Sequence, residues 1–433
     1  MLLVRRARVP VALLPASFAA ASIDPLEPAV LCDLTLTGAQ ITGVAVSSGA
    51  SAPPHARELD AAGSLVFPGF VDAHVHLDKT HTWHRAPNRT GTFRDALTTL
   101  CADRVNWSEA DLHRRAGFAL STAWAHGTRA IRTHIDSDIP SAETSYAVMS
   151  ALRAEWRGRL DLQLVPVCGG DIYGKVAGEK MTDLALRHGA SALGGFFQMS
   201  ASLPAQLDRL LAVARERGVG LDLHVDETGD PHSECLRLVA KAVLRAEFPH
   251  PVVCGHCCSL AVQDPARARS TIALVRAARI GVISLSLCNL YLQDRRAAAS
   301  FPRSPSWRGL APINDLLDAG VPVACASDNV RDAFHAFGDY DAVEIYAQSL
   351  RLAHLDSRLT DSVSVVTSTA ADLIGRPDLG RITAGAPAHL IVFPVQRFSE
   401  FLSRPAAARR CIDGETISTP LAPDFAELGD RLA

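Results

Sequence analysis

The stretch PGFVDAHVHLD occupies residues 68–78 and is the most informative part of the sequence. It continues an apolar run that starts at residue 65, and this run has the length and composition of a buried β-strand. His74 and His76 are two residues apart, so on a strand both side chains point to the same side. Two neutral imidazoles in that arrangement can bind one metal ion. Because the chain contains 16 histidines, the pair by itself is equally compatible with ordinary packing or surface positions.

Short apolar runs alternate with stretches of helical periodicity along the middle of the chain. In residues 205–217, for example, Leu207, Leu210 and Leu211 form one apolar stripe, and Gly218 closes the helix. This alternation is typical of repeated βα units. Eight strands favour a (β/α)8 TIM barrel over an open doubly wound sheet, and no G-x-G-x-x-G follows a strand. The predicted strands are residues 65–76, 130–136, 161–167, 192–197, 221–227, 251–256, 281–287 and 321–328.

The two ends of the chain have weak helical periodicity and contain short strand patterns, such as residues 33–37 and 388–394. The simplest arrangement is one small sheet domain made from both termini. We therefore predict an α/β protein with a discontinuous β-sandwich domain, residues 1–64 and 380–433, and a barrel at residues 65–379.

The first residues allow two interpretations. Arg5, Arg6 and Arg8, followed by apolar residues, imitate the charged and apolar regions of a secretory signal. However, Pro10 interrupts the apolar stretch. We favour a β-strand at residues 2–9, because alternate residues fall on one face by period two and Pro10 then ends the strand.

Composition and charge exclude several classes of function. The chain has 433 residues, of which 48% are hydrophobic and 21% charged, an ordinary globular balance. Its 43 basic and 46 acidic residues give a net charge of -3, so we expect no nucleic-acid partner and a small, roughly neutral ligand. No apolar run reaches the about 18 residues of a membrane span. The 10 cysteines are not spaced as a disulfide framework, which favours a reducing compartment and a cytoplasmic location.

Ligand-type side chains also fall at the ends of three other predicted strands. His224 lies near the end of the fifth strand, His256 ends the sixth, and Asp328 ends the eighth. Barrel enzymes place their working groups at these carboxyl ends, where distant parts of the sequence converge. Three imidazoles and one carboxylate suit a zinc or ferrous ion that keeps an open position for water. Taken singly, each residue also has an ordinary structural interpretation. His224 is compatible with a hydrogen-bonded core histidine, His256 with part of a thiol-rich loop, and Asp328 with a helix N-cap.

Five segments occur in a distinctive order: residues 68–78, His224-Val225-Asp226-Glu227, Gly255-His256, residues 289–295 (NLYLQDR) and Ser327-Asp328-Asn329. Together they resemble the amidohydrolase superfamily and, within it, the cytosine deaminase group, which includes isocytosine deaminases and N-isopropylammelide amidohydrolases. The resemblance covers nearly the whole chain. It implies one divalent ion, Zn²⁺ or Fe²⁺, and assigns catalytic roles to Glu227, His256 and Asp328. The implied metal ligands are His74, His76, His224 and Asp328.

The resemblance further implies a mononuclear site. Binuclear branches of that superfamily carry a carboxylated lysine on the fourth strand, and residues 192–199 contain no lysine.

The implied chemistry is hydrolytic deamination. A metal ion lowers the pKa of bound water from about 16 toward 7, which provides a hydroxide at neutral pH. Asp328 takes a proton from that water, and His256 orients the hydroxide and stabilises the tetrahedral adduct. Glu227 transfers a proton to a ring nitrogen and then to the departing amine. Taken alone, Glu227 is also compatible with a solvated loop carboxylate.

A different zinc site has to be weighed. His232-Ser233-Glu234 and Cys254-Gly255-His256-Cys257 match the H-x-E and C-x-x-C parts of the nucleobase deaminase signature. The match is partial, because Val253 rather than proline precedes Cys254, and that signature belongs to compact single domains. We therefore expect the three clustered cysteines, Cys254, Cys257 and Cys258, to be buried thiols or thiols that contact the metal ligands.

Departures from the cytosine-acting pattern leave the substrate ring open. Cytosine deaminases carry a ring-binding glutamine in the segment around Cys168, a second aspartate at the position of Asn329, a small residue at that of Lys79 and often an indole at that of Phe334. Asp332 is compatible with ring binding and equally with a helix cap. The predicted substrate-binding residues are Gln293, Asn329, Asp332, Phe334 and Cys168.

We therefore predict a metal-dependent hydrolytic deaminase of a cytosine-like heterocycle, such as cytosine, isocytosine or a related aminopyrimidine, that works as a homo-oligomer without a membrane or nucleic-acid partner. The enzymatic alternatives are an N-alkyl aminotriazine (isopropylammelide-type) amidohydrolase and a cyclic amide hydrolase. The non-enzymatic alternative is a zinc-stabilised binding protein, which would have no need of Glu227.

Overall fold

The computed structural model describes residues 1–21, 24–49, 56–137, 140–295 and 304–429. Its strands are β1 (Leu2–Pro10), β2 (Ala29–Thr37), β3 (Gln40–Val46), β4 (Arg57–Asp60), β5 (Val66–Pro68), β6 (Phe70–Val75), β7 (Thr128–Asp136), β8 (Asp161–Val167), β9 (Ala192–Phe197), β10 (Gly220–Val225), β11 (Val252–His256), β12 (Gly281–Ser284), β13 (Val323–Cys325), β14 (His389–Val392), β15 (Arg410–Asp413) and β16 (Thr416–Ser418). Its α-helices are α1 (Phe93–Asp103), α2 (Glu109–Ala125), α3 (Ala142–Glu155), α4 (Val176–Arg187), α5 (Leu203–Arg217), α6 (Cys235–Arg245), α7 (Pro265–Ala277), α8 (Ser286–Leu292), α9 (Ile313–Asp318), α10 (Ala342–Ala353), α11 (Ser368–Leu373) and α12 (Phe398–Ser403).

Backbone contacts divide the chain into two compact units. The first comprises Met1–Asp72, Thr122–Ala130 and Asp341–Ala422. The second comprises Ala73–Ser121, Ile131–Tyr340 and Pro423–Ala433.

The first unit contains two four-stranded sheets whose strands come from both ends of the chain. Their strand orders are β3-β2-β1-β4 and β16-β15-β14-β5. The strand predicted at residues 2–9 is confirmed, because β1 pairs antiparallel with β2 and parallel with β4. Buried rings of Phe67, Phe393 and Phe401 pack in this unit with centroids 4.8 to 5.5 Å apart. Aromatic burial of this kind contributes a large share of core stability.

The second unit holds β8 to β13 and the carboxyl-terminal ends of β6 and β7. Strands β9 to β13 form a sheet in sequential order with parallel pairing throughout. A second sheet has the order β6-β7-β8. Two parallel bridges, Val75 to Asp328 and Gly169 to Phe196, each join an edge strand of one sheet to the segment that follows an edge strand of the other. The predicted α/β class with parallel strands is therefore confirmed.

The first predicted strand, residues 65–76, is in fact two strands. It breaks at Gly69, so that β5 pairs with β14 while β6 pairs with β7. A Cβ at Gly69 would lie 2.5 Å from Cγ of Arg129, which makes this a position where only glycine fits without movement. By contrast, β8 and β9 have the predicted bounds.

Three other predicted strands end earlier than the sequence indicates, at Val225, Ser284 and Cys325. After Val225 the chain turns, because Asp226 has a left-handed backbone with φ 55°. The strand that ends at Ser284 is followed almost at once by α8. Beyond Cys325 a loop leads to Asp328, which is also left-handed with φ 61°. Leu285 and Ala326 extend the apolar sequence past Ser284 and Cys325 because both are buried, whereas polar Asp226 directly follows Val225.

Local signals explain the helices that separate the strands. Leu207, Leu210 and Leu211 of α5 are buried, and Gly218 ends that helix in the left-handed conformation with φ 68°. Asp264 caps α7 by accepting from the backbone N–H of the second and third residues that follow it, at 3.0 Å each. No helix in the described part of the chain has both the length and the apolar character that a bilayer crossing requires.

Candidate metal centre and substrate pocket

Four side chains converge at the carboxyl ends of the strands. His74 lies in β6 and His76 just after it, His224 lies in β10, and Asp328 follows β13. Nε2 of His224 is 3.1 Å from Nε2 of His74 and 3.3 Å from Nε2 of His76. Oδ1 of Asp328 is 3.3 Å from Nε2 of His76 and 3.8 Å from Nε2 of His74. We call these four residues the histidine cluster.

The histidine cluster has the spacing of a metal site. Tetrahedral ligands at about 2.1 Å from an ion are about 3.4 Å from one another, which is close to the distances in the cluster. The four residues are at most 5% exposed. The Nε2 atoms of all three rings face one another, and within the described residues both carboxylate oxygens of Asp328 have no hydrogen-bond partner. Buried polar atoms without partners are costly, so this set of atoms is explained by a cation that binds between them.

The protonation states of the histidine cluster also fit a cation. Burial, together with neighbouring histidines, lowers the pKa of His74 and His224 well below the ordinary value, and burial with nearby Lys79 lowers that of His76 to about 4. Burial opposes ionisation of Asp328, but the contact with His76 and the charge of His256 outweigh it and lower the pKa to about 2. Three neutral imidazoles and one carboxylate are the protonation states in which these side chains bind divalent ions. These residues therefore fit the ion implied by the sequence.

Glycine and left-handed residues shape the backbone around the cluster. Gly255 in β11 leaves room for a ring, because a Cβ there would lie 3.1 Å from Cε1 of His74. His256 is left-handed with φ 70°, as are Asp226 and Asp328 at the ends of their strands. Left-handed backbone at non-glycine residues is uncommon and concentrates at functional sites.

Asp226 is the residue that aims its neighbour at the site. Its carboxylate accepts from the hydroxyl of Ser233 at 2.7 Å and from the backbone N–H of Cys235 and Leu236 at 2.9 Å each, at the start of α6. The carboxylate of Asp226 therefore caps the N-terminus of α6. This anchored turn leaves Glu227, the next residue, to face the pocket.

The carboxyl group of Glu227 lies beside the histidine cluster without belonging to it. The side chain is 7% exposed, and its Oε1 is 3.5 Å from Nδ1 of His256 and 3.5 Å from Nδ2 of Asn289. Burial, reinforced by the charge of Asp328, raises the pKa of Glu227 well above its ordinary value. This shift favours the protonated form of Glu227, in which the carboxyl group can act as an acid.

His256 is held in one tautomer. Its Nδ1 is 3.1 Å from Nδ2 of Asn289, and burial lowers the pKa of the ring. Because an amide nitrogen donates, Nδ1 accepts and the proton of the neutral ring lies on Nε2. That nitrogen has no partner among the residues described. His256 therefore offers an N–H donor in the space next to His74 and Asp328. The three residues are also close enough to form a second candidate ligand group.

A cavity of about 340 Å³ opens onto these groups. Its walls are aromatic, with Phe93 and Phe196 stacked at 6.1 Å between ring centroids and Phe334 edge-on to Phe93 at 5.6 Å. The volume is in the range of small-molecule sites, and flat aromatic walls favour a planar ring. At the polar end the cavity is lined by His76, Lys79, Asp136, His224, Glu227, His256, Asp328 and Asn329.

The predicted substrate-binding residues divide into two groups. Cys168, Asn329 and Phe334 line the cavity. Gln293 and Asp332 are buried but lie outside the lining. Gln293 donates from Nε2 to the backbone oxygen of Glu227 at 3.3 Å, and Asp332 accepts from Nδ2 of Asn329 at 2.7 Å. Both therefore contact residues that line the cavity.

Lys79 is a pocket residue that the sequence marked only as a departure from other deaminases. Its Nζ is 2.9 Å from Oδ1 of Asp136 and 5.7 Å from the ring centroid of Phe334. Burial would lower the pKa of Lys79, but the charges of Asp136 and Asp78 outweigh it and raise the pKa to about 12. The pocket therefore contains a fixed cation.

The sequence reasoning also missed a polar chain beneath the cluster. The ring of His134 lies 3.9 Å from that of His74 between centroids, and Nε2 of His134 is 3.2 Å from Oδ1 of Asp222. Arg132 donates to the other oxygen of Asp222 at 2.9 Å. A signal was present, since Arg132, His134 and Asp136 alternate along the buried strand β7.

The alternative zinc site is not assembled. His232 is exposed, and Glu234 pairs with Arg267. Cys254 and Cys257 are buried, as predicted, and neither belongs to a candidate ligand group within the described residues. All 10 cysteines are free, in agreement with the absence of a disulfide framework.

Comparison with known proteins shows which proteins this chain is similar to in sequence and in structure. The chain is 44% identical over 380 residues to a pterin deaminase of Rhizobium rhizogenes, covering 87% of this chain and 86% of that one. It is 24% identical over 348 residues to N-isopropylammelide isopropyl amidohydrolase of a Pseudomonas species, covering 77% and 81%. The structure of 5-methylcytosine deaminase from Klebsiella pneumoniae has a TM-score of 0.83 and 24% identity, covering 98% of this chain and 99% of that one.

The amidohydrolase family profile matches residues 173–414, more than half of the chain. The matched part contains His224, Glu227, His256 and Asp328, whereas His74 and His76 precede it. Relatives that span most of the sequence extend the similarity beyond the profile. The chain belongs to the amidohydrolase family, as its sequence motifs predicted.

Proposed function

We propose that this protein is a metal-dependent hydrolytic deaminase that releases ammonia from an aminated nitrogen heterocycle. The observation that carries the proposal is the buried carboxyl group of Glu227, which lies 3.5 Å from Nδ1 of His256 and lines the cavity beside the histidine cluster. A binding protein or a structural metal site has no need of a buried acid at this position. A hydrolytic deaminase needs one to protonate the ring and the leaving amine.

The side chains divide the work between them. His74, His76, His224 and Asp328 would hold a divalent ion, which supplies Lewis acidity and lowers the pKa of water. Asp328 accepts a proton from the attacking water. His256 donates its Nε2–H to the oxygen that adds to the ring carbon, as an oxyanion-hole donor does.

Glu227 completes the proton transfers. It donates its own proton to the ring nitrogen beside the attacked carbon. Of the two protons of the attacking water, one passes through the Glu227 carboxylate to the amine and the other returns Glu227 to its protonated form, which leaves Asp328 ionised again. The C–O bond forms, the C–N bond breaks, and one water is consumed for each ammonia released.

A pterin-type 2-amino-4-oxo ring is the first candidate substrate. The relative with 44% identity over most of the chain is a pterin deaminase. The cavity volume of about 340 Å³ and the walls formed by Phe93, Phe196 and Phe334 suit a flat bicyclic ring. Cytosine and isocytosine, the rings favoured by the sequence motifs, are smaller members of the same chemical class and remain the second candidates.

The experiment is an ammonia-release assay over pterin, isocytosine, cytosine and N-isopropylammelide with metal-reconstituted protein. We expect Glu227→Gln to lower kcat by at least about a hundredfold, the usual contribution of general acid–base catalysis, with the metal content unchanged. Glu234→Gln is the matched control, because that carboxylate belongs to the same loop but pairs with Arg267. Full activity of Glu227→Gln, or no release of ammonia from any of the rings, would contradict the proposal.

We also propose that the two sheets joined by the Val75–Asp328 and Gly169–Phe196 bridges close into a (β/α)8 barrel, because each bridge connects one pair of their edges. A barrel with a β-sandwich from both termini, divided near residues 64 and 380, stays a prediction, as do the homo-oligomer and the choice between Zn²⁺ and Fe²⁺.

A further inference from the structure

Asn329 presents a fixed amide to the cavity. It is 4% exposed, lines the cavity and directly follows Asp328 of the histidine cluster. Its side chain is 2.7 Å from Oδ2 of Asp332. Burial raises the pKa of Asp332 to about 7. The ionised carboxylate, which predominates above that pH, only accepts, so the amide group that meets it is the NH₂ and the carbonyl oxygen is turned away from it.

Asp332 is itself held in place by the backbone. Its Oδ1 accepts from the N–H of Phe334 at 2.8 Å and from that of His335 at 3.2 Å, and the residue is 1% exposed. The ring of His335 closes the same loop, with Nδ1 3.1 Å from the backbone oxygen of Asn329. Asp332 cannot rotate without losing these bonds, so the orientation of Asn329 is imposed by the loop.

The carbonyl oxygen of Asn329 has accepting capacity left over. The donor that reaches it is the thiol of Cys288, at 3.8 Å between Sγ and Oδ1, and a thiol is a weak donor. An amide oxygen has two lone pairs. A second, stronger donor is therefore accommodated, and the cavity is where a ligand would supply it.

We infer that Asp332 is a positioning residue that turns the carbonyl oxygen of Asn329 toward the cavity, so that the site selects heterocycles with an N–H donor beside the carbon that loses its amine. This inference rests on the proposed function. It assigns Asn329 as the residue that reads the ring edge, and it gives Asp332 an indirect role that differs from the ring contact predicted from the sequence.

The chemistry separates two classes of ring. Pterin and isocytosine carry an N–H next to the amine-bearing carbon, and this N–H matches the carbonyl oxygen of Asn329. Cytosine has a single ring nitrogen beside that carbon, and this nitrogen carries a lone pair. A site built to accept a hydrogen bond discriminates against a ligand that cannot donate one, because its buried acceptor is then left unpaired.

The test is the ratio of dissociation constants for cytosine and isocytosine, measured by calorimetry above the pKa of Asp332 on the metal-loaded protein in a Glu227→Gln background, where turnover is slowed. Isocytosine is expected to bind at least about tenfold more tightly than cytosine, because one hydrogen bond contributes about that much to affinity. Asp332→Asn keeps an oxygen for the N–H groups of Phe334 and His335 but turns its NH₂ to Asn329. Asn329 must then rotate its own NH₂ into the cavity, and the ratio is expected to shift by at least about tenfold toward cytosine.

A second variant and a control guard against misfolding. Asn329→Ala keeps the bonds between Asp332 and the backbone but removes the acceptor, and it is expected to bring the ratio close to one. Asp264→Asn makes the same substitution at a capping aspartate of α7 outside the cavity lining and is expected to leave the ratio unchanged.

The inference fails if the Glu227→Gln protein shows no preference for isocytosine. It also fails if adding Asp332→Asn and adding Asn329→Ala both leave the ratio of dissociation constants unchanged. Failure of the proposed function has a different signature. In that case the protein with Glu227 intact releases no ammonia from any ring, whatever the ratio of dissociation constants.

Discussion

The second unit contains two polar clusters, each built from basic side chains and aspartates. They differ in whether their buried polar atoms have hydrogen-bond partners. We call Arg85, Asp103, Asp111 and Arg115 the arginine–aspartate network. Arg85 donates to Asp103 at 2.8 Å and to Asp111 at 2.6 Å, and Arg115 donates to Asp111 at 2.7 Å. Every buried side-chain nitrogen and oxygen of this network has a partner within the described residues, whereas the histidine cluster has unpartnered atoms on all four members.

The difference separates a structural cluster from a binding site. Arg115 also donates to the backbone oxygens of Asp78 at 2.9 Å and Thr80 at 2.7 Å, on either side of Lys79. The arginine–aspartate network is therefore complete by itself and fixes the loop that carries a pocket residue. The histidine cluster is complete only with a ligand, because the Nε2 atoms of its three rings and the unpaired carboxylate of Asp328 face one space.

The largest expected effect is on activity, from a change inside the histidine cluster. His224→Asn removes one ligand, and we expect a loss of at least about a thousandfold in kcat/KM, because metal-ion catalysis contributes several kcal/mol. The free energy of unfolding of the metal-free protein should change by about 1 kcal/mol or less, since the ring has only other cluster members as polar partners. Urea denaturation with and without a chelator measures both states. A metal-free variant that unfolds far more easily than metal-free wild type would remove the distinction between the clusters.

The next effect is on stability, from a change inside the arginine–aspartate network. Asp111→Asn leaves the buried guanidinium group of Arg115 without its carboxylate partner, and we expect a loss of about 3 to 5 kcal/mol in the free energy of unfolding. Asp208→Asn is the control, because its pair with Arg245 is more than half exposed and should contribute less than about 1 kcal/mol. Equal effects of the two substitutions would contradict a structural role for the network.

The smallest expected effect concerns His81, which lies on the loop fixed by Arg115. Burial and then the charges of Arg331 and Arg115 lower the pKa of His81 to about 3. A folded pKa below the unfolded value means that the unfolded state binds the proton more readily. The stability contributed by neutral His81 is therefore present above the unfolded value of about 6.5 and is lost as the pH falls toward 3, at about 1.4 kcal/mol per pH unit.

The measurement is the free energy of unfolding of the metal-free protein at several pH values between 7 and 5. His81→Asn suits the left-handed backbone at this position, where φ is 56°, and it should reduce the loss of stability on acidification. His113→Asn, at a side chain that is about half exposed, should not. The same pH dependence in His81→Asn and wild type would refute the role of His81.

The sequence predicted what depends on local periodicity and on residues at strand ends. Strands β8 and β9 and the convergence of His74, His76, His224 and Asp328 needed only period-two alternation and the rule that parallel strands end at one edge. Asp226 was quoted within a motif, yet its helix-capping role depends on Ser233 and the start of α6, which the motif does not contain.

Contacts between distant strands were beyond that reasoning. The pairing of His134 with Asp222 joins residues on β7 and β10, and only the register of the sheets brings them within 3.2 Å. Likewise, the indirect position of Asp332 follows from a loop whose backbone N–H groups it accepts. The sequence left ring binding and helix capping open for Asp332, and in the structure its carboxylate accepts from Asn329 and from two backbone N–H groups.

The central claim is that the histidine cluster binds a catalytic divalent ion. The most direct measurement is elemental analysis of the purified protein, before and after chelation, alongside ammonia release from the substrate found in the screen. The account predicts about one zinc or iron ion per chain in wild type and in Glu227→Gln, and almost none in His224→Asn, with wild-type activity lost on chelation and restored by the metal. Full activity of metal-free wild type, or equal metal content in all three proteins, would contradict it.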